Sequence, residues 1–152
     1  MKKMILLALL SLALTACATT TTGPKTLTLQ TGFELFLPAG VGLEETKSAD
    51  NSVTYRFTSG KKELLALFLG NRATLKNNGM TRDRKVDINI MAGREYSWKN
   101  ADGSLSRELL ISTGKINWPV YAHFYYLNQN KDDAKTADGI ISSLKNLSFV
   151  RK

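Results

Sequence analysis

The chain holds one cysteine, one histidine and three prolines in 152 residues. A single cysteine excludes an internal disulfide framework and any paired-cysteine metal site. A single histidine, His123, leaves no His-Glu-x-x-His arrangement, and no calcium-loop pattern stands in its place. No glycine-rich phosphate loop occurs, and Gly103-Ser104-Leu105-Ser106-Arg107 lacks the closing glycine of a nucleophile elbow. The nucleophile and base that remain are Ser106 and His123, and a lone histidine in a tyrosine-rich strand reads more simply as a packed side chain. The expectation is a protein that is not an enzyme, with no catalytic, cofactor-binding or metal-ligating residues and no cofactor.

Long apolar runs are also missing. The stretch at residues 4–14 covers 11 positions, about 16 Å of helix against a hydrocarbon core of about 30 Å. It is too short to span a membrane, and it has no polar face that would make it an amphipathic core helix. Lys2 and Lys3 precede it, and the small or polar residues Thr15 and Ala16 follow it. A charged start, an apolar centre and a small-residue end form a secretory signal pattern.

What is there fits one domain. Hydrophobic residues make up 43% and charged residues 22%, ordinary values for a globular chain with a packed core. Basic residues number 21 against 13 acidic, a formal +8. Without Lys2 and Lys3 the balance is 19 against 13, still basic. Nucleic acid is not an expected partner, because a signal segment removes the protein from the cytoplasm.

Leu14-Thr15-Ala16-Cys17 resembles the lipobox of bacterial lipoproteins. The resemblance implies cleavage before Cys17, a diacylglyceryl group on its thiol and acylation of the new amino terminus. Thiolate chemistry agrees, since sulfur is the strongest side-chain nucleophile for alkylation. Two or three acyl chains, at about 0.8 kcal/mol per buried methylene, make a permanent anchor. The expected organisation is a signal peptide over 1–16, the lipidated cysteine and a flexible tether over 17–25, and a folded domain over 26–152. In that family an aspartate after the cysteine often marks inner-membrane retention. Here the position is Ala18, which favours the periplasmic face of the outer membrane, with the inner membrane as the alternative.

From Thr26 the pattern is mostly period two. Leu27 and Leu29, then Phe33, Leu35 and Leu37 before Pro38, suggest short strands, as do Val53, Tyr55 and Phe57. The continuous apolar run 64–69 suggests a central strand buried on both faces, with a short helix as the alternative. Val86, Ile88 and Ile90 suggest another strand. Asp102-Gly103 suggests a hairpin turn returning through residues 104–111, and residues 120–127 a late strand with Tyr121, His123 and Tyr125 on one face. Asp132 and Asp133 followed by Ala134, Ala137, Ile140, Ile141 and Leu144 predict a helix, with Asn146 capping its end. Leu147, Phe149 and Val150 suggest a last strand. The expected class is α+β: one antiparallel sheet of about six or seven strands covered by the C-terminal helix.

Gly32-Phe33-Glu34-Leu35-Phe36-Leu37-Pro38 and the ending Ala137-Asp138-Gly139-Ile140-Ile141-Ser142-Ser143-Leu144 resemble the PsbP/Mog1/DcrB-like group. The resemblance implies a PsbP/Mog1-like sandwich and a role as adaptor or assembly factor, with no catalytic motif to carry over.

Two features bear on partners. Arg72, Lys76, Arg82, Arg84 and Lys85 fall between two strands, either a solvated loop or a contact for anionic lipid, lipopolysaccharide or an acidic partner. Tyr121, Tyr125, Tyr126, Trp98 and Trp118 are either cross-strand packing or a recognition surface. The expected function is a lipid-anchored, non-catalytic binding or assembly module of the cell envelope, held to the membrane through Cys17 and meeting an envelope protein. The alternative is a toxin-neutralising or hydrolase-inhibiting lipoprotein, against which a basic charge counts when the target is itself basic.

Overall fold

The computed structural model describes residues 17–20, 23–29, 31–76, 83–89 and 91–146. The strands in chain order are β1 (Cys17–Thr20), β2 (Lys25–Thr28), β3 (Phe33–Leu37), β4 (Val41–Lys47), β5 (Val53–Ser59), β6 (Lys62–Gly70), β7 (Asp83–Ile88), β8 (Met91–Lys99), β9 (Leu105–Ser112), β10 (Tyr121–Gln129) and β11 (Lys145–Asn146). One helix, α1 (Lys131–Ser142), lies between β10 and β11. Every strand pairing is antiparallel. The larger sheet has eight strands in the order β1-β4-β5-β6-β10-β9-β8-β7, and a second has the order β11-β3-β2.

The α+β domain with a C-terminal helix over an antiparallel sheet is thus present, with its strands divided between two sheets instead of six or seven in one. The extra strands come from segments without clear apolar alternation. β1 lies in a threonine-rich run, and β11 is only two residues long. The segment Cys17–Thr20, expected as tether, pairs along β4 from Cys17↔Glu45 to Thr20↔Gly42. The signal segment, Ile90, and Leu147, Phe149 and Val150 lie outside the described residues.

One face of the large sheet makes the core. Alternate residues of a strand share a face, and Tyr55, Phe57, Leu65, Leu67, Leu69, Leu109, Ile111 and Phe124 are buried together. The helix covers them with Ala134, Ala137, Ile140 and Ile141, and β3 adds Phe33, Leu35 and Leu37 to the same cluster. β6 is central, between β5 and β10, which explains its unbroken apolar run. It carries a bulge: Phe57 pairs with Leu65 but Thr58 with Glu63, so Leu64 is the extra residue.

The termini of α1 obey local chemistry. Asn130 is the N-cap, its side chain accepting from the Asp132 and Asp133 amides. The C-cap is Ser143, whose amide bonds back to the last turn; Asn146, expected there, belongs to β11. Ser143 Oγ also accepts from the Phe36 amide at 2.8 Å, joining the helix end to β3. The β8–β9 hairpin turns at Asp102-Gly103 as expected, with Gly103 at φ 85°. Its loop spans residues 100–104 between the paired Lys99 and Leu105.

Candidate functional site

The face of the large sheet turned away from α1 is polar at its centre. Register sets this pattern. Thr54 pairs with Phe68 and Phe68 with His123; in the next row Arg56 pairs with Ala66 and Ala66 with Tyr125. On the other side Tyr125 pairs with Glu108. Thr54, Arg56, Phe68, His123, Tyr125 and Glu108 therefore share one face.

Glu108 and His123 form the floor, with His123 Nε2 2.8 Å from Glu108 Oε2. After β6 the chain returns over this face, and the Lys76 amide donates to both Glu108 oxygens at 2.9 and 2.8 Å. The Lys76 ammonium stands 5.1 Å above the Tyr125 ring, within cation–π range. The Tyr125 ring in turn lies 5.3 Å from His123. Burial pushes the Tyr125 phenol up, with Glu63 adding to the shift and Arg56 opposing it.

Between this floor and residues 71–76 lies a cavity of about 320 Å³, lined by Thr54, Arg56, Phe68, Arg72, Thr74, Lys76, His123 and Tyr125. In the same row Ala66, a small and fully buried side chain, stands between Arg56 and Tyr125. Three cationic side chains line it. Arg56 also holds Glu63 at 3.2 Å on the rim.

Of the five basic residues read from the sequence, Arg72 and Lys76 meet here. Arg84 and Lys85 do not join them: Arg84 points to the helix face, paired across from Glu95 and Leu109, and Lys85, though on the cavity's face, stands on β7 at the sheet edge, three strands beyond β10. Arg84 binds Glu95 at 3.0 Å, and Lys85 lies in a separate groove with Val86, Ala92 and Tyr121. Arg82 lies outside the described residues. Arg56, which completes the cluster, was not legible: it is one polar position of an alternating strand, and only sheet register brings it to Arg72.

The helix side of the sheet carries a second polar group. Arg107 donates to Glu95 and to Asp138, both at 2.7 Å, and Arg84 adds a second cation to Glu95. Burial would raise the Glu95 carboxyl, but hydrogen bonds from Arg84 and Arg107 outweigh it and hold it below the usual carboxylate range. Ser106 and His123 are not partners: Ser106 Oγ accepts from Asn100 Nδ2 at 3.2 Å and from the Asn128 amide at 2.9 Å. Tyr121, His123 and Tyr125 do share a face, with His123 buried and the two tyrosines half-buried.

Cys17 opens β1, at the edge of the large sheet. The order β1-β4-β5 places β5, the strand of Thr54 and Arg56, two strands away, about 10 Å at the usual spacing. Among the described residues no three His, Cys, Asp or Glu side chains gather to hold a metal, and no helix is long and apolar enough to cross a membrane. No protein-family model, curated protein or solved structure matches the chain.

Proposed function

We propose that the chain is a lipid-anchored, non-catalytic binding module of the bacterial cell envelope, carried on the periplasmic face of the outer membrane. The observation that carries this reading is Leu14-Thr15-Ala16-Cys17 placed directly after Lys2, Lys3 and the short apolar run 4–14. The domain is read as a PsbP/Mog1-like sandwich, on the Gly32-to-Pro38 opening and the Ala137-to-Leu144 ending. A binding role is supported by how the reactive groups are used: His123 is held by Glu108 and Ser106 by Asn100 and Asn128. The chemistry of the cavity is charge, which recognises partners, and an envelope protein or an anionic surface at Arg72 and Lys76 fits it.

The test is acylation in a bacterial host. The wild-type chain should incorporate labelled fatty acid and yield a mature amino terminus at Cys17 with added acyl mass. Cys17→Ser should abolish labelling and leave an unprocessed precursor. A wild-type protein released in soluble form without acyl mass would overturn the reading.

A further inference from the structure

We propose that the cavity between Arg56, Arg72 and Lys76 is a binding site for a phosphate-bearing anion. Its charge is the first reason. Among the described arginines, Arg56, Arg84, Arg94 and Arg107 each hold a carboxylate, and Arg72 does not. The Lys76 ammonium likewise faces a tyrosine ring instead of a carboxylate. An excess of positive charge is therefore concentrated on one concave site.

The floor offers no free carboxylate to Arg72 or to the Lys76 ammonium. Both Glu108 oxygens accept from the Lys76 amide, one also meets His123, and the side chain is buried beneath the cavity without lining it. Thr54 and Thr74 add hydroxyls to the lining. Two planar guanidinium forks and an ammonium suit the several oxygens of a phosphate group, which a single carboxylate ligand would leave partly unmatched. The volume, about 320 Å³, lies at the small end of ligand pockets and fits a headgroup-sized ligand.

Phosphate of this kind comes free in solution or on a phospholipid headgroup. Cys17 lies two strands from Arg56, so an acylated chain would hold the pocket close to a bilayer. That placement rests on the lipid-anchored reading; the anion site itself does not.

The test uses the unacylated chain from residue 17, carrying Cys17→Ser and containing every described element. Inorganic phosphate is titrated while the His123 and Tyr125 resonances are followed by NMR. Co-sedimentation is measured in parallel with phosphatidylcholine vesicles, with and without phosphatidylglycerol. Saturable shifts are expected, weakened about tenfold or more by Arg72→Gln, the loss of one charge-assisted contact, and within twofold of wild type for Arg94→Gln as control. Sedimentation that requires phosphatidylglycerol, falls in Arg72→Gln and is displaced by inorganic phosphate assigns the site to headgroups. Saturable phosphate binding without it assigns the site to free phosphate. No saturable response to either probe, or equal effects of Arg72→Gln and Arg94→Gln, overturns the proposal and leaves the fatty-acid labelling result at Cys17 unaffected.

Discussion

Glu108 on β9 and His123 on β10 meet at 2.8 Å, each about 1% exposed. They are diagonal neighbours, since His123 pairs with Leu110 and Glu108 with Tyr125. Such diagonals lie within reach of long side chains on one sheet face. The same carboxylate takes the Lys76 amide on both oxygens. One buried side chain thus joins two central strands to the segment that roofs the cavity, and the position of the cationic pocket depends on it.

Glu108→Ala is expected to lower stability by about 3 kcal/mol, the usual consequence of removing one partner of a buried polar pair. The loss should be local as well as global. Hydrogen exchange at the Lys76 amide should accelerate well beyond what the stability change alone requires. Urea unfolding and exchange measured together decide it, and full protection at Lys76 in the variant would show that residues 71–76 are held by other means.

The opposite face supplies a pH dependence. Because the folded Glu95 carboxyl is held below its ordinary value near 4.5, its stabilising contribution is complete above that value. It is lost as pH falls through the lower folded value. The wild type should therefore lose stability relative to Glu95→Gln as the pH is lowered below about 4.5. At neutral pH the wild type should be the more stable of the two, since Glu95→Gln leaves Arg107, 15% exposed as a side chain, short of one ionised partner. A stability difference constant over that fall in pH would exclude Glu95 as the titrating group.

The core was largely legible in the sequence and the pocket was not, for one physical reason. Burial leaves a periodic trace: the run 64–69 becomes the central strand, and Ala134, Ala137, Ile140, Ile141 and Leu144 are all buried. A site made by strand register leaves no such trace. Arg56 and Tyr125 flank Ala66 only through two antiparallel pairings, while Arg84 and Lys85, adjacent in the chain, point to different faces. The helix start shows the same limit on a smaller scale. Asp132 and Asp133 mark the first turn, but their amides are capped by Asn130, which has no apolar periodicity to point to it.

That cap yields a prediction of its own. Asn130 Oδ1 accepts from the Asp132 amide at 3.0 Å and the Asp133 amide at 2.9 Å. Asn130→Ala should lower stability by about 1 kcal/mol, and Asn130→Ser should restore most of it. Thermal unfolding of the two variants side by side measures the difference. Equal losses would mean that the acidic first turn holds the helix start without the cap.

Gly93 sits inside β8, opposite Ile111 of β9, where a side chain would normally favour a strand. A Cβ built there would stand 2.9 Å from the Leu110 carbonyl oxygen and 3.4 Å from Ile111 Cγ1. The first contact is with backbone, so it is relieved only by moving one strand away from the other. Gly93→Ala should therefore destabilise the domain by about 1–3 kcal/mol, as overpacking does, although alanine is otherwise the better strand residue. Ala92→Ser, one position earlier and exposed, should stay within about 0.5 kcal/mol of wild type. Denaturant unfolding of both variants tests the contrast. A neutral or stabilising Gly93→Ala would show that β8 and β9 separate there at little cost.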